Sequence, residues 1–259
     1  MRSIDLAGRN ALILGVANQR SLAWAIAEAL GDAGCRLAFT YQGERLQGKV
    51  TALAAEKYPT APIWPCDVAD ERQLDDLFDR IESEFGKLHV LIHSIAFAPR
   101  EELEGEFRKT TRAGWRTALE ISAYSFVDLA NRATPLLERE GGSILGLTYF
   151  ASQRVVRNYN VMGSAKAALE HAIRQLAYEL GPRNIRVNGI SAGPVSTLSS
   201  RGVSGFTDIL GHYRERAPLR RNIEAREVAD AALFLASPLA SGVTGEILYV
   251  DAGYNIMGV

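Results

Sequence analysis

Short apolar runs alternate with longer amphipathic stretches along the chain. NALILGV at 10–16 reads as a buried strand, and SLAWAIAEALGDAG at 21–34 as the helix that follows it. CRLAFTY (35–41) is the next strand, 44–57 the next helix, and PIWPCD (62–67) a third strand. In ERQLDDLFDRIESEFG (71–86), Leu74, Leu77, Phe78 and Ile81 recur at helical spacing and form one apolar stripe. Strands are expected at 87–94 and 141–149, with a long helical region between them, then at 183–191 and 246–253.

Repeated strand–helix–strand units imply a parallel sheet covered on both faces. The pattern therefore predicts an α/β fold: one Rossmann-type, doubly wound parallel sheet of seven strands, with helices on both faces. No low-complexity linker divides the chain, so 1–259 is expected to form a single domain. The one long irregular segment is GPVSTLSSRGVSGFT (193–207), rich in Gly, Ser and Thr. A loop of that length inside a compact domain is usually functional or mobile.

Composition narrows the function classes. At 47% hydrophobic and 23% charged residues, the chain has enough apolar surface for a packed core. A net charge of −1 argues against a general nucleic-acid binder. The two cysteines, Cys35 and Cys66, lack metal-ligand spacing and fit a reduced, cytoplasmic protein. The four histidines fall in different elements, and none reads as a metal ligand. The apolar run at 11–17 is broken by Gly15 and is too short to span a membrane. No signal-peptide cleavage pattern follows it.

In a doubly wound sheet, ligands bind at the carboxyl ends of the strands, near the switch in strand order. The first strand runs into GVANQRSLAWAIA (15–27), a poor match to G-x-G-x-x-G. Gly15 is its only glycine; Ser21 and Ala25 are the small residues further on. Ser21 can cap the helix and offer a hydroxyl beside backbone amides that favour an anion. An ordinary strand–helix loop is the alternative reading. The second strand ends at Gln42, which is neutral and can hydrogen-bond a ribose hydroxyl but offers no charge to a 2′-phosphate. Arg45, three residues on, could still reach one, so NADH is favoured over NADPH without being dictated. Asp67 and Val68 would suit an adenine, a carboxylate for the amine and an apolar side for the ring. Asp67 could equally cap the helix beginning near Asp70.

YNVMGSAK (159–166) sets a tyrosine and a lysine seven residues apart. Seven helical steps turn the chain by about 700°, so Tyr159 and Lys166 are expected on one helix face, roughly 10 Å apart along the axis.

The order of elements resembles the short-chain dehydrogenase/reductase superfamily along almost the whole chain. GVANQRSLAWAIA, FTYQ, HSIAFAP, LTYFAS, YNVMGSAK, VNGISAGPVSTL and YVDAGYNIMG together resemble its enoyl-acyl-carrier-protein reductase branch, the NADH-dependent bacterial type. The wider superfamily's Tyr-x-x-x-Lys pair is absent: four residues before Lys166 stands Met162. The place of its usual serine, thirteen residues before Met162, holds Tyr149, and no helical asparagine stands around Glu120-Ile121-Ser122. These departures speak against a carbonyl reductase and match the enoyl reductase branch.

The resemblance implies that NADH reduces the 2,3 double bond of a trans-2-enoyl thioester on acyl carrier protein. It implies that Tyr159 donates to the thioester oxygen, that Lys166 holds the nicotinamide ribose, and that Tyr149 shapes the site. It adds Leu22, Ser94, Ile95, Val195, Ser196, Thr197, Leu198 and Ser199 to the cofactor contacts. Beside the acyl chain it places Ala96, Phe97, Ala98, Tyr149, Tyr159, Met162 and Phe206, with a lid near 195–210. It also implies a homotetramer, and the apolar end GYNIMGV (253–259) would suit burial at an interface. The run 212–227 holds five arginines against three glutamates and offers a basic face to an acidic carrier protein, or a plain solvated surface. The rivals are an NADPH-dependent carbonyl reductase on the same fold and a non-catalytic NAD-binding sensor. The sensor would lack the tyrosines and lysine that this chain keeps.

Overall fold

A computed structural model describes residues 4–197 and 204–258. Seven parallel strands form one sheet in the order β3-β2-β1-β4-β5-β6-β7. They are β1 (Asn10–Leu14), β2 (Arg36–Tyr41), β3 (Ile63–Pro65), β4 (Val90–His93), β5 (Gly142–Thr148), β6 (Ile185–Ala192) and β7 (Ile247–Val250). Strand order reverses direction between β1 and β4, which opens a crevice at their carboxyl ends. The predicted α/β doubly wound architecture is therefore observed, with strands shorter than the apolar runs that announced them.

The central strands β1 and β4 are buried along their whole length because both sheet faces are covered, and their residues are mostly apolar. On one face, α1 (Leu22–Asp32) and α8 (Ala225–Ala236) pack against Ile13, Phe39 and Ile92. On the other, α3 (Glu71–Phe85), α5 (Ser125–Leu137) and α6 (Asn160–Leu180) bury Leu77, Phe126 and Leu169 against Leu12, Leu14 and Ile144. The remaining helices are α2 (Glu44–Lys57), α4 (Arg112–Leu119) and α7 (Phe206–Arg216). The stripe Leu74, Leu77, Phe78 and Ile81 is buried as its spacing predicts. α3 starts at the Asp70 carboxylate, which accepts from the amides of Arg72 and Gln73, and stops at left-handed Gly86.

Phe126 connects the core to the functional end of the sheet. It is fully buried and meets the His93 ring edge-on at 5.4 Å, at the carboxyl end of β4. Truncating such a side chain to alanine costs about 3–5 kcal/mol, so the strand end is held by a substantial part of the fold's stability.

α4 and α5 run on from one another through a π turn, residues 120–124. Such turns are rare and cluster at functional sites. No helix among the described residues is long and apolar enough to cross a membrane.

Candidate active site

Gly15 leaves β1 with φ 98°, and a Cβ there would lie 2.0 Å from the Ser94 carbonyl oxygen. Only glycine allows the two strand ends to approach so closely. The ends of β1 and β4 thus meet at the switch point, with Ser94 and Ile95 continuing the chain beyond β4. Ser21 stands at the N-cap of α1, as expected, but its hydroxyl does not cap an amide. It donates instead to the Asn18 carbonyl at 2.6 Å, folding the 15–21 loop on itself. No side chain caps the first turn of α1, so the amides of Leu22 and Ala23 remain available to an anion, while that of Trp24 donates to the Ser21 carbonyl. Leu22 is the first residue of that helix and packs on the core.

Gln42 and Asp67, from the ends of β2 and β3, meet directly: Gln42 Nε2 donates to Asp67 Oδ2 at 3.1 Å. The helix cap that Asp67 was free to provide belongs to Asp70. Asp67 uses its other oxygen to accept from the Ala69 amide at 3.0 Å, and Val68 lies partly buried beside it. The donor set fits a dinucleotide: a close-approach glycine, uncapped helix amides, and a neutral amide paired with a carboxylate where the adenosine ribose is read.

At the carboxyl end of β5 the three candidate catalytic side chains converge. Lys166 is 5% exposed, and its Nζ donates to the Leu147 carbonyl at 2.7 Å. Burial pulls its ammonium down to about 8, against the pull of Glu170 one turn along α6. Glu170 is also buried and accepts from Thr148 Oγ1 at 2.9 Å. Tyr149 follows β5, and its ring meets Tyr159 edge-on with centroids 5.1 Å apart. Burial, and then the neighbouring Tyr149, push the Tyr159 phenol above its ordinary range. It is therefore a protonated donor at neutral pH.

One expectation needs correction. Tyr159 is not inside the helix that carries Lys166 but at its N-cap, with φ −122° and ψ −7°. Asn158, in the left-handed region at φ 60°, ends the preceding loop and turns the chain into α6. The carbonyl of Tyr159 still accepts the first helical hydrogen bond, from Gly163. Helical phase is thus preserved, and both side chains reach the end of β5. Gly163 itself lets α6 approach the loop after β5; a Cβ there would lie 2.9 Å from the Ala151 carbonyl.

His93 supplies electrostatic support. It is fully buried, and burial together with the charge of Lys166 holds its imidazole down at about 3. Its Nε2 lies 2.8 Å from Ser125 Oγ, which itself donates to the Ile121 carbonyl at 2.7 Å. Nε2 is therefore the protonated nitrogen and His93 is neutral. The site holds one buried cation rather than two.

An apolar wall faces the tyrosines. Ala118, Val161, Met162 and Ala165 pack together with Ala98, Leu103, Leu119 and Tyr159 against them. Ala96 and Phe97 are exposed at the rim, Phe97 by 54%. Phe206 begins α7, partly buried. Val195 packs on the core beyond β6, Ser196 is exposed, and the Thr197 amide donates to the Val195 carbonyl at 2.8 Å. Leu198 and Ser199 lie outside the described residues, as does the middle of the 195–210 segment.

Two residues that the sequence reading passed over matter here. Ser122, on the π turn, accepts from the Phe97 amide at 2.9 Å and donates to the Phe97 carbonyl at 3.1 Å. One buried hydroxyl thus fixes the backbone of the loop carrying Ala96 and Ala98. Tyr213 of α7 places its hydroxyl 3.2 Å from that of Tyr149. Its position in a charge-rich run masked it, since nothing in local sequence marks one tyrosine there as inward-facing. In the 212–227 run, Arg221 is engaged by Glu227 at 2.6 and 2.7 Å, next to the start of α8.

Known proteins place this geometry in context. The family model for enoyl-(acyl carrier protein) reductase matches residues 15–255. The NADH enoyl-[acyl-carrier-protein] reductase FabI of Nostoc sp. is 50% identical over 259 residues, covering 99% of this chain and all of its own. FabI of Bacillus cereus is 50% identical over 254 residues, covering 98% of this chain and 99% of its own. Among solved structures, the Bacillus cereus reductase with NADP+ and indole naphthyridinone has a TM-score of 0.96 at 49% identity, over 99% of this chain and 100% of that one. The Anaplasma phagocytophilum reductase in complex with NAD has a TM-score of 0.94 at 43% identity, over 100% of this chain and 98% of that one. Agreement of sequence and fold at that level over nearly the whole length means that this chain belongs to the enoyl-acyl-carrier-protein reductase family.

Proposed function

We propose that this protein reduces the 2,3 double bond of trans-2-enoyl thioesters carried on acyl carrier protein, using NADH, in fatty acid elongation. The observation that carries the reading is the convergence of Tyr149, Tyr159 and Lys166 at one strand end, beside an apolar wall and a dinucleotide cradle. The relatives named above share the activity through their names.

NADH supplies the hydride when bound. Gly15, Ser21 and Leu22 hold the cofactor at the switch point, Gln42, Asp67 and Val68 at the adenosine end. Ser94, Ile95, Lys166 and the segment 195–199 complete the contacts. Lys166 holds the ribose hydroxyls and sets a positive charge beside the reacting carbons. Tyr159 donates to the thioester oxygen, where negative charge develops as the double bond is reduced. A donor aimed at developing charge is the largest single catalytic effect of this kind. The seven-residue spacing sets that donor apart from the lysine, because the oxygen lies two carbons from the carbon that takes the hydride. Tyr149 orients the substrate, and Phe97, Ala98, Met162 and Phe206 exclude water from it.

The chain acts as a single domain, with the segment near 195–210 as its lid. The same reading makes the protein a cytoplasmic homotetramer that docks acyl carrier protein, does not bind nucleic acid and does not insert into a membrane. Ile256 is 75% exposed and Met257 38% exposed in one chain, apolar surface that an interface would cover. Sedimentation at micromolar concentration is expected to give four chains; a monomer would remove the assembly from this account.

The test of the activity compares crotonyl and acetoacetyl thioesters with NADH and NADPH. Crotonyl reduction with NADH is expected to have the highest kcat/KM. Preferential reduction of the acetoacetyl ketone would replace the proposal with a carbonyl reductase. Binding of NADH without turnover of either thioester would replace it with a sensor.

A further inference from the structure

Tyr213 is 5% exposed, and among the described residues its hydroxyl has one hydrogen-bond partner, the Tyr149 oxygen at 3.2 Å. Tyr149 is only partly buried. A phenol donates one proton and accepts through its oxygen. Donation from Tyr149 to Tyr213 would leave the Tyr213 proton buried with no acceptor. Donation from Tyr213 to Tyr149 satisfies the buried hydroxyl and leaves the Tyr149 proton free to face the cleft. Burial thereby sets the direction of the bond.

Tyr213 is held from behind. Its ring stacks on Tyr254, with centroids 3.7 Å apart and planes 18° apart. Tyr254 begins a turn that Asp251 caps, its carboxylate accepting from the Gly253 amide at 2.9 Å and the Asn255 amide at 2.8 Å. The edge of Phe150, next to Tyr149 in sequence, packs on Tyr254 at 5.9 Å. In the turn just before α7, the Ser204 carbonyl accepts from Nδ2 of Asn158, the residue immediately before Tyr159, at 2.9 Å. α7 is thus tied to both candidate tyrosines.

We infer that Tyr213 is a positioning residue for the reduction: its donated hydrogen bond commits the Tyr149 oxygen as acceptor and turns the Tyr149 proton toward the substrate. The inference rests on the proposed role of Tyr149 beside the thioester. A hydrogen bond received by Tyr149 also strengthens the one it gives, because linked bonds polarise one another.

The experiment is a double-mutant cycle with Tyr213→Phe and Tyr149→Phe, measured with a crotonyl thioester and NADH. Tyr213→Phe keeps the ring stack on Tyr254 and removes only the hydroxyl. It is expected to lower kcat about five- to ten-fold and to leave the NADH Kd unchanged. In the Tyr149→Phe background it is expected to change kcat by less than about two-fold, because its acceptor is gone. An undiminished kcat in Tyr213→Phe, with Tyr149→Phe slow, overturns the inference alone. Equal losses in both backgrounds, or a matching loss of NADH affinity, overturn it by making Tyr213 merely structural. A Tyr149→Phe enzyme as fast as wild type overturns both the inference and the role of Tyr149. Should Tyr213→Phe fail to fold, 3-fluorotyrosine at position 213 gives a stronger donor on the same ring. It is expected to keep kcat at or above the unmodified rate, and a several-fold fall overturns the inference.

Discussion

Gln42 and Asp67 meet side chain to side chain across two strand ends, Nε2 to Oδ2 at 3.1 Å. The pairing puts a carboxylate next to the residue proposed to read the cofactor's adenosine ribose, where it would repel a 2′-phosphate. NADH preference then rests on two features, the missing cation at position 42 and the fixed anion behind it. Gln42→Arg is expected to raise the NADPH/NADH ratio of kcat/KM by about ten-fold or more, since a charge-assisted bond to phosphate is roughly twice as strong as a neutral one. Adding Asp67→Asn is expected to raise it further by removing the competing partner of the new arginine. Steady-state kinetics with both cofactors check this, and an unchanged ratio in the double variant would detach these residues from cofactor choice.

Lys166 gives the pH dependence a sign. Its folded value of about 8 lies below its ordinary 10.5, because burial disfavours the ammonium. In the proposed role the ammonium holds the ribose hydroxyls, so NADH affinity is expected to fall as pH rises through about 8. Stability runs the other way. Between about 8 and 10.5 the unfolded chain carries the extra proton, so unfolding free energy rises with pH there. Below 8 both states are protonated, and burial costs the fold about 3 kcal/mol. NADH fluorescence titrations from neutral to alkaline pH are expected to show the break in the wild type and none in Lys166→Arg, which stays charged.

Ser122 is expected to control the substrate side without touching the cofactor. Ser122→Ala leaves the Phe97 amide and carbonyl without their partner, a loss of about 1–3 kcal/mol in fixing that loop. KM for the enoyl thioester is expected to rise several-fold while the NADH Kd stays constant. The two constants, measured on one preparation, separate this role from general destabilisation.

Much of the fold was legible because it depends on local pattern. α2 begins and ends where its polar and apolar spacing predicts, at Glu44 and Lys57. The apolar runs mark all seven strands, most clearly β1 and β4, which are buried along their whole length, and least clearly the edge strand β3, which is only partly buried. Their ends were less legible: Val16 and His89 are buried without belonging to a strand, so burial outruns pairing. The site was legible only where one residue type must stand at one place. Gly15 and Lys166 are such positions. The N-cap placement of Tyr159 was hidden because its cause is the left-handed backbone of Asn158. The π turn at Ser122 inserts one residue into a helix without erasing its apolar face, and so left no mark in the pattern. The Gln42–Asp67 and Tyr213–Tyr149 bonds join elements 25 and 64 residues apart, and such pairs emerge only from topology.

The central claim is that Tyr159 supplies the hydrogen bond that meets charge on the thioester oxygen, with Lys166 serving the cofactor. Single-turnover reduction of a crotonyl thioester by preformed complexes with NADH tests it most directly. Tyr159→Phe is expected to slow that step by about a hundred- to a thousand-fold, the loss typical of one oxyanion donor, with NADH affinity unchanged. Lys166→Ala is expected to weaken NADH binding as well. A Tyr159→Phe enzyme that binds NADH as poorly as Lys166→Ala, yet turns over at the wild-type rate once loaded, would contradict the account.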